Sequence, residues 1–170
     1  MLNELDRIRQ RLETARRGLL EAVAPVSEEE WKQKPPQGGW SVAEILVHLG
    51  QVEMRVMTGA KERLRSEPQP RSFRERFHLP VWLVEYRVVK RESPIPLDEK
   101  LIADKAESLA RLSAIRDDTL GVLKENEEKN LSGYHMKHPF LGQLDFHEWM
   151  RMLASHEIRH TKQIRGMRKL

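Results

Sequence analysis

Apolar side chains recur at steps of three and four residues in four separate stretches of this 170-residue chain. That period belongs to the α-helix and not to the alternation of a half-buried strand. Leu2, Leu5, Ile8, Leu12, Ala15, Leu19 and Val23 form the first stripe, which Pro25 brings to an end. Val42, Ile45, Leu46, Leu49, Val52 and Val56 form the second; Ser41 and Glu44 make a capping box directly ahead of it, placing this helix over about 41–65. Leu101, Ile102, Leu109, Leu112, Ile115, Leu120 and Leu123 give a third helix from Asp98 to about Glu127. A further capping box, Asp145 with Glu148, precedes Phe146, Trp149, Met150, Leu153, Ile158, Ile164 and Met167, so the fourth helix runs nearly to residue 170. Each stripe must be buried against the others, which predicts one all-α domain over 1–170, a four-helix bundle.

The connections constrain the topology. Ser27 with Glu30 predicts a short capped turn, and Pro35-Pro36-Gln37-Gly38-Gly39 forces a loop. Between Ser66 and Pro96, five prolines (Pro68, Pro70, Pro80, Pro94 and Pro96) interrupt any periodicity, and the stretch from Val81 to Val89 fits a short strand or a proline-initiated helix equally well. An irregular crossover of about 30 residues is too long for a hairpin and suits parallel neighbours, so the expected order is up-down-down-up.

Composition narrows the function classes. With no cysteine, metal chemistry has to rest on histidine and carboxylate ligands. The longest apolar run, Val81 to Val89, is broken by Glu85 and Arg87, far short of the roughly 20 residues a spanning helix needs. The N-terminal stretch is charged throughout, unlike a secretory signal, so a cytoplasmic setting without membrane contact is expected. Thirty basic residues face 26 acidic ones, unevenly: Arg55 to Arg91 holds ten Lys or Arg against four Glu, and Asp98 to Glu128 nine acids against five bases. Such asymmetry can attract polyanions, but without clustered aromatics or a nucleic-acid motif it reads first as solvated helix surface.

His156 and His160 stand four residues apart on the fourth helix, so both imidazoles can reach one point. They share the inward stripe with Phe146, Trp149, Leu153, Ile164 and Met167, and two buried imidazoles without a partner would be desolvated twice over. His156-Glu157-Ile158-Arg159-His160 also matches the HExxH pattern of zinc peptidases, where the Glu acts on water at the metal. Those enzymes take a third ligand from the C-terminal side, and Thr161 to Leu170 contains no His, Asp or Glu. A third ligand must come from upstream; His48, on the flank of the second stripe, is the leading candidate. Glu157 faces the same inward side, either acting at the metal as a catalytic carboxylate or pairing with a neighbouring Arg. His138 fits a helix-capping or surface role better than the mouth of a site. Trp40, Trp149 and Tyr134 read as packing anchors, and His78, His135 and His147 as surface residues.

The segment Trp40-Ser41-Val42-Ala43-Glu44-Ile45-Leu46-Val47-His48-Leu49 resembles the WSxxExxxHL signature of the DinB/YfiT-like superfamily. His138-Pro139-Phe140-Leu141-Gly142-Gln143-Leu144, followed by Trp149 and HEIRHTKQI, resembles its C-terminal half. The likeness spans nearly the whole chain but not the 66–97 crossover, so it brings no substrate-specific features. It implies a DinB/YfiT-like bundle with a three-histidine site for a divalent metal, usually zinc or nickel, at the matching positions His48, His156 and His160. Three neutral imidazoles leave the ion open positions for water or a substrate atom. Relatives include transferases that use small bacterial thiols such as bacillithiol, a mycothiol-dependent isomerase, and others classed as metal-dependent hydrolases; many are homodimers. The resemblance therefore implies a metal-dependent thiol S-transferase or hydrolase acting on a small molecule, with Glu157 assisting in the hydrolase case. The alternative is a stress-associated metal-binding or nucleic-acid-interacting protein without catalysis, which fits the pI of 9.5.

Overall fold

The computed structural model describes residues 3–70, 79–86 and 95–167. Its helices are α1 (Glu4–Val23), α2 (Glu28–Trp31), α3 (Val42–Arg63), α4 (Lys105–Glu125) and α5 (Phe146–Met167), joined by a hairpin of β1 (His135–His138) and β2 (Gly142–Asp145). The three expected capping boxes start α2, α3 and α5. A fourth starts α1, where the Asn3 side chain accepts from the Asp6 amide at 2.8 Å and the Asp6 carboxylate accepts from the Asn3 amide at 3.3 Å.

Two stretches differ from expectation, and a third settles one of two options left open. The third helix begins at Lys105, not Asp98, because two aspartates compete as caps. The Asp104 carboxylate takes the Glu107 amide at 2.8 Å and starts α4, while Asp98 takes Lys100 and closes a separate 3-10 turn over Glu99–Leu101. Of the two options for the Val-rich stretch, Val81–Glu85 is a 3-10 turn opened by Pro80 and packed on α5; residues 87–94 lie outside the described residues. The hairpin has no counterpart in the expected all-helical pattern. Its strands pair antiparallel from His135 opposite Asp145 to His138 opposite Gly142. Its turn is built from local chemistry: the His138 Nδ1 accepts from the amides of Phe140 and Leu141, each at 3.1 Å, and Gly142 adopts φ +99°. Only glycine takes that conformation without strain, so Gly142→Ala should cost about 1–3 kcal/mol. Thermal denaturation should register it as a loss of several degrees, and an unchanged melting temperature would refute the strain.

Side-chain pairs give the helix directions. Along α1 and α5 the pairs Glu4–Arg151, Arg11–Ser155, Arg16–Glu157 and Glu21–Arg165 advance together, so these helices run parallel. Glu53–Arg116 and Lys61–Asp118 show the same for α3 and α4. Between α1 and α4 the order reverses, from Arg9–Glu127 through Arg116 on the Leu12 carbonyl to Lys105 on the Ala24 carbonyl. The core falls into two apolar clusters. One holds Leu5, Ile8, Leu12, Met57, Leu123, Trp149 and Met150; the other holds Leu19, Val23, Trp31, Ile45, Leu46, Leu112 and Ile164. No described helix is long and apolar enough to cross a membrane.

Candidate metal centre

Ser41 fixes the start of α3, which sets His48 two turns in and facing α5; the Asp145–Glu148 box does the same for His156 and His160 on α5. His48 and His160 are 4% and 7% exposed, and His156 is half-buried between them. The His156 Nε2 lies 3.1 Å from the His48 Nε2 and 3.2 Å from the His160 Nε2, and one ligand atom from each ring falls within 4.8 Å of the others. Among the described residues no carboxylate joins this group.

A residue assigned no role from the sequence fixes one ring. The His160 Nδ1 is 3.0 Å from the Gln163 Oε1. An amide oxygen only accepts, so Nδ1 carries the hydrogen and Nε2 turns a lone pair to the cluster. Where Nε2 atoms meet in pairs at this distance, at most one of each pair can donate, and a cation among them removes the conflict between lone pairs. Neutral imidazole nitrogens are good donors to divalent transition metals, so the donor set fits a divalent ion.

The protonation chemistry agrees. Burial, reinforced by the nearby Arg159 charge, lowers His48 to about 4. Burial lowers His156 well below 6.5, and the charges of His160, His48 and Arg159 add to it. Both are thus neutral at neutral pH, as metal ligation requires. His138, lowered to about 4 by burial, packs its ring on Trp149 at 5.1 Å while holding the hairpin turn, so it is neither the helix cap nor the surface group expected.

Trp149 and Tyr134 are buried anchors, with the Trp149 indole donating to the Met136 carbonyl at 3.0 Å. Trp40 does more than pack: its ring lies 4.7 Å from that of His48 and 6.3 Å from that of His160, nearly parallel to the latter. His135 and His147 are half-buried; His135 bonds the Ser132 carbonyl and His147 approaches Asp145. His78 lies outside the described residues.

Glu157, 2% exposed, has the contacts of the ion-pair alternative. Its Oε1 accepts from the Arg16 Nε at 2.6 Å and its Oε2 from an Arg116 Nη. Arg116 also grips Glu53 through two nitrogens, at 2.7 and 3.0 Å, and Thr119 donates to Glu53 at 2.8 Å. The remaining guanidinium nitrogens reach the backbone, Arg16 to the Leu112 carbonyl at 2.7 Å and Arg116 to the Leu12 carbonyl at 2.6 Å. Burial alone would lower the Arg116 guanidinium, but its hydrogen bonds and the two carboxylate charges outweigh that and raise it. With both oxygens bound to cations, Glu157 would have to break charge-assisted hydrogen bonds before it could serve in proton transfer.

The chain is 25% identical to YuaE, an uncharacterized protein of Bacillus subtilis (strain 168), over 145 residues that make up 85% of this chain and 86% of YuaE. Its fold matches that of YfiT from Bacillus subtilis with a TM-score of 0.66 at 18% identity, covering 97% of this chain and 86% of YfiT. YfiT is described as "a probable metal-dependent hydrolase with an unusual four-helix bundle topology"; at this identity the likeness is one of fold. The sequence pattern of the DinB superfamily matches residues 11–164, a span that includes the three histidines, Gln163 and the four charged residues beneath them, and by that match the chain belongs to the DinB superfamily.

Proposed function

We propose that His48, His156 and His160 hold a divalent metal ion, zinc or nickel, and that the protein is a metal-dependent enzyme acting on a small molecule. One observation carries this reading: three Nε2 atoms from two helices converge in a buried site, one of them oriented by Gln163. A divalent ion held by three neutral imidazoles retains open positions and supplies Lewis-acid activation of water or of a substrate atom. The chain's own residues supply the rest. Burial keeps the His48 and His156 rings unprotonated, Gln163 fixes the His160 tautomer, and the Trp40 ring packs against those of His48 and His160.

Hydrolysis is the first reading, supported by the fold shared with YfiT. Thiol transfer is the second, and a specific observation favours it. A hydrolase commonly uses a carboxylate or imidazole as base, yet the carboxylate nearest in sequence, Glu157, is bound to Arg16 and Arg116. Transfer from a thiol would need no such base, because a metal held by these histidines would lower the pKa of a ligated sulfur enough for its proton to pass to solvent. Ester or amide cleavage, as against thiol-dependent consumption of an electrophile, separates the two.

Elemental analysis of the purified protein should find about one divalent metal per chain, as a single three-imidazole site requires. His160→Ala should lose most of it while circular dichroism still reports a helical fold. Full metal content in the folded variant would end the proposal.

A further inference from the structure

The charged residues beneath the histidines are arranged by helix. α3 and α5, which carry the imidazoles, each contribute a glutamate, Glu53 and Glu157. α1 and α4, which carry none, each contribute an arginine, Arg16 and Arg116. All four side chains are buried or nearly so. They form a polar layer between the two apolar clusters: on α1, Arg16 lies between Leu12 and Leu19, and on α3, Glu53 lies between Leu49 and Val56. Glu157 adjoins His156 in sequence, and Glu53 lies five residues beyond His48.

Stability alone does not account for such a layer, because well-packed apolar side chains of similar volume often serve as well or better. Apolar stripes do tolerate sliding, whereas a forked guanidinium held by two carboxylates and a carbonyl does not, since a one-turn slip of roughly 5.4 Å would break every bond. α3 and α5 need such a restraint, because no short loop joins them: α3 ends at Arg63 and α5 begins at Phe146.

We infer that Arg16, Glu53, Arg116 and Glu157 are positioning residues that fix the spacing and register of α3 against α5 and so set the affinity of the histidine cluster for its metal. The inference rests on the metal reading above and adds to it a role for residues that touch no metal. Both guanidinium groups reach across to both glutamates, so displacement of either ligand-bearing helix is resisted by the two helices that bear no ligand.

Cobalt(II) titration of the metal-free full chain, followed by its visible ligand-field spectrum at a temperature where circular dichroism shows every variant folded, tests this. Glu53→Gln and Arg116→Lys should each weaken cobalt binding by about tenfold or more and alter the band shape, the scale typical of residues that orient metal ligands. Leu5→Ala, in the cluster farther from the histidines, should lower the melting temperature yet leave cobalt affinity within about twofold, since distant sites act independently. If the single variants do not fold, the combined Arg16→Met, Glu53→Leu, Arg116→Met and Glu157→Leu replacement removes every buried charge at once; it too should fold and bind cobalt weakly. Wild-type affinity and spectrum in any folded network variant would overturn the positioning role. Failure of the wild-type protein to bind cobalt through its histidines would overturn the metal reading, a result recognisably different from the first.

Discussion

Arg116→Met should lower the stability of the fold by about 3–5 kcal/mol, among the largest effects expected of any single substitution in this chain. Arg116 is 4% exposed and makes four hydrogen bonds, two to Glu53, one to Glu157 and one to the Leu12 carbonyl. Methionine keeps an unbranched apolar stem but stops short of the guanidinium and donates nothing. Glu53 and Glu157 would then share Arg16, whose contact with Glu53 is the longest in the layer at 3.4 Å. Two carboxylates buried with one cation between them is the situation in which removing one partner costs most, because the groups left behind stay dehydrated. Equilibrium urea unfolding should show the loss as a reduced midpoint, and heating as a melting temperature lower by about 6–20 °C for a chain of this size. The combined apolar replacement of all four residues should lie much nearer the wild type. A loss below about 1 kcal/mol for Arg116→Met would mean that the layer is hydrated and its bonds exchange with water.

The same layer marks where sequence reading stopped short. Helical stripes are found by looking for apolar residues at helical spacing, and α1, α3 and α5 emerge from that search with their boundaries nearly in place. Arg16, Glu53 and Arg116 sit four residues after Leu12, Leu49 and Leu112, so they lie on the stripes too. A reading that counts apolar positions passes over them, and only the pairing of residues 37 to 141 positions apart makes a buried charge tolerable. Glu157 was legible as inward-facing, with a catalytic role and pairing with a neighbouring Arg both open, but its partners, Arg16 and Arg116, come from α1 and α4 far off in sequence. The histidine pair was legible from its spacing alone, His48 from its flank position and the WSxxExxxHL resemblance together. The hairpin escaped because strands of four residues carry too little alternation to register. What fixes them lies in the turn, in the His138 ring nitrogen and the conformation of Gly142.

Acidification below about pH 6.5 should weaken the metal-free protein without abolishing metal binding. The folded state holds His48 at about 4 and His156 well below its ordinary 6.5, while the unfolded chain returns both to that ordinary value. Above pH 6.5 neither state takes up a proton at these rings, so they add no pH dependence. Below it the unfolded chain binds protons that the folded one refuses, and stability falls as pH falls, by up to about 1.4 kcal/mol per pH unit for each such ring. The fall continues until the folded-state value is reached, near 4 for His48, and His138 adds to it over the same window. Because the folded His48 and His156 rings stay neutral across that window, protons do not compete for their nitrogens until near its lower end. A metal that binds only the folded state adds RT ln(1 + [L]/Kd), about 2.7 kcal/mol at a hundredfold excess over Kd, and this increment should be nearly the same at about pH 5.5 as at about pH 7.5. Melting curves with and without zinc at both values should therefore shift down together and keep their separation, which narrows only near pH 4. His48→Gln should lessen the pH dependence of the metal-free protein, leaving the share of His156 and His138, and remove most of the separation. If the separation has already vanished at pH 5.5, the ligand rings titrate as exposed histidines do; if metal-free stability is flat between pH 7 and 5, they are not kept neutral by burial.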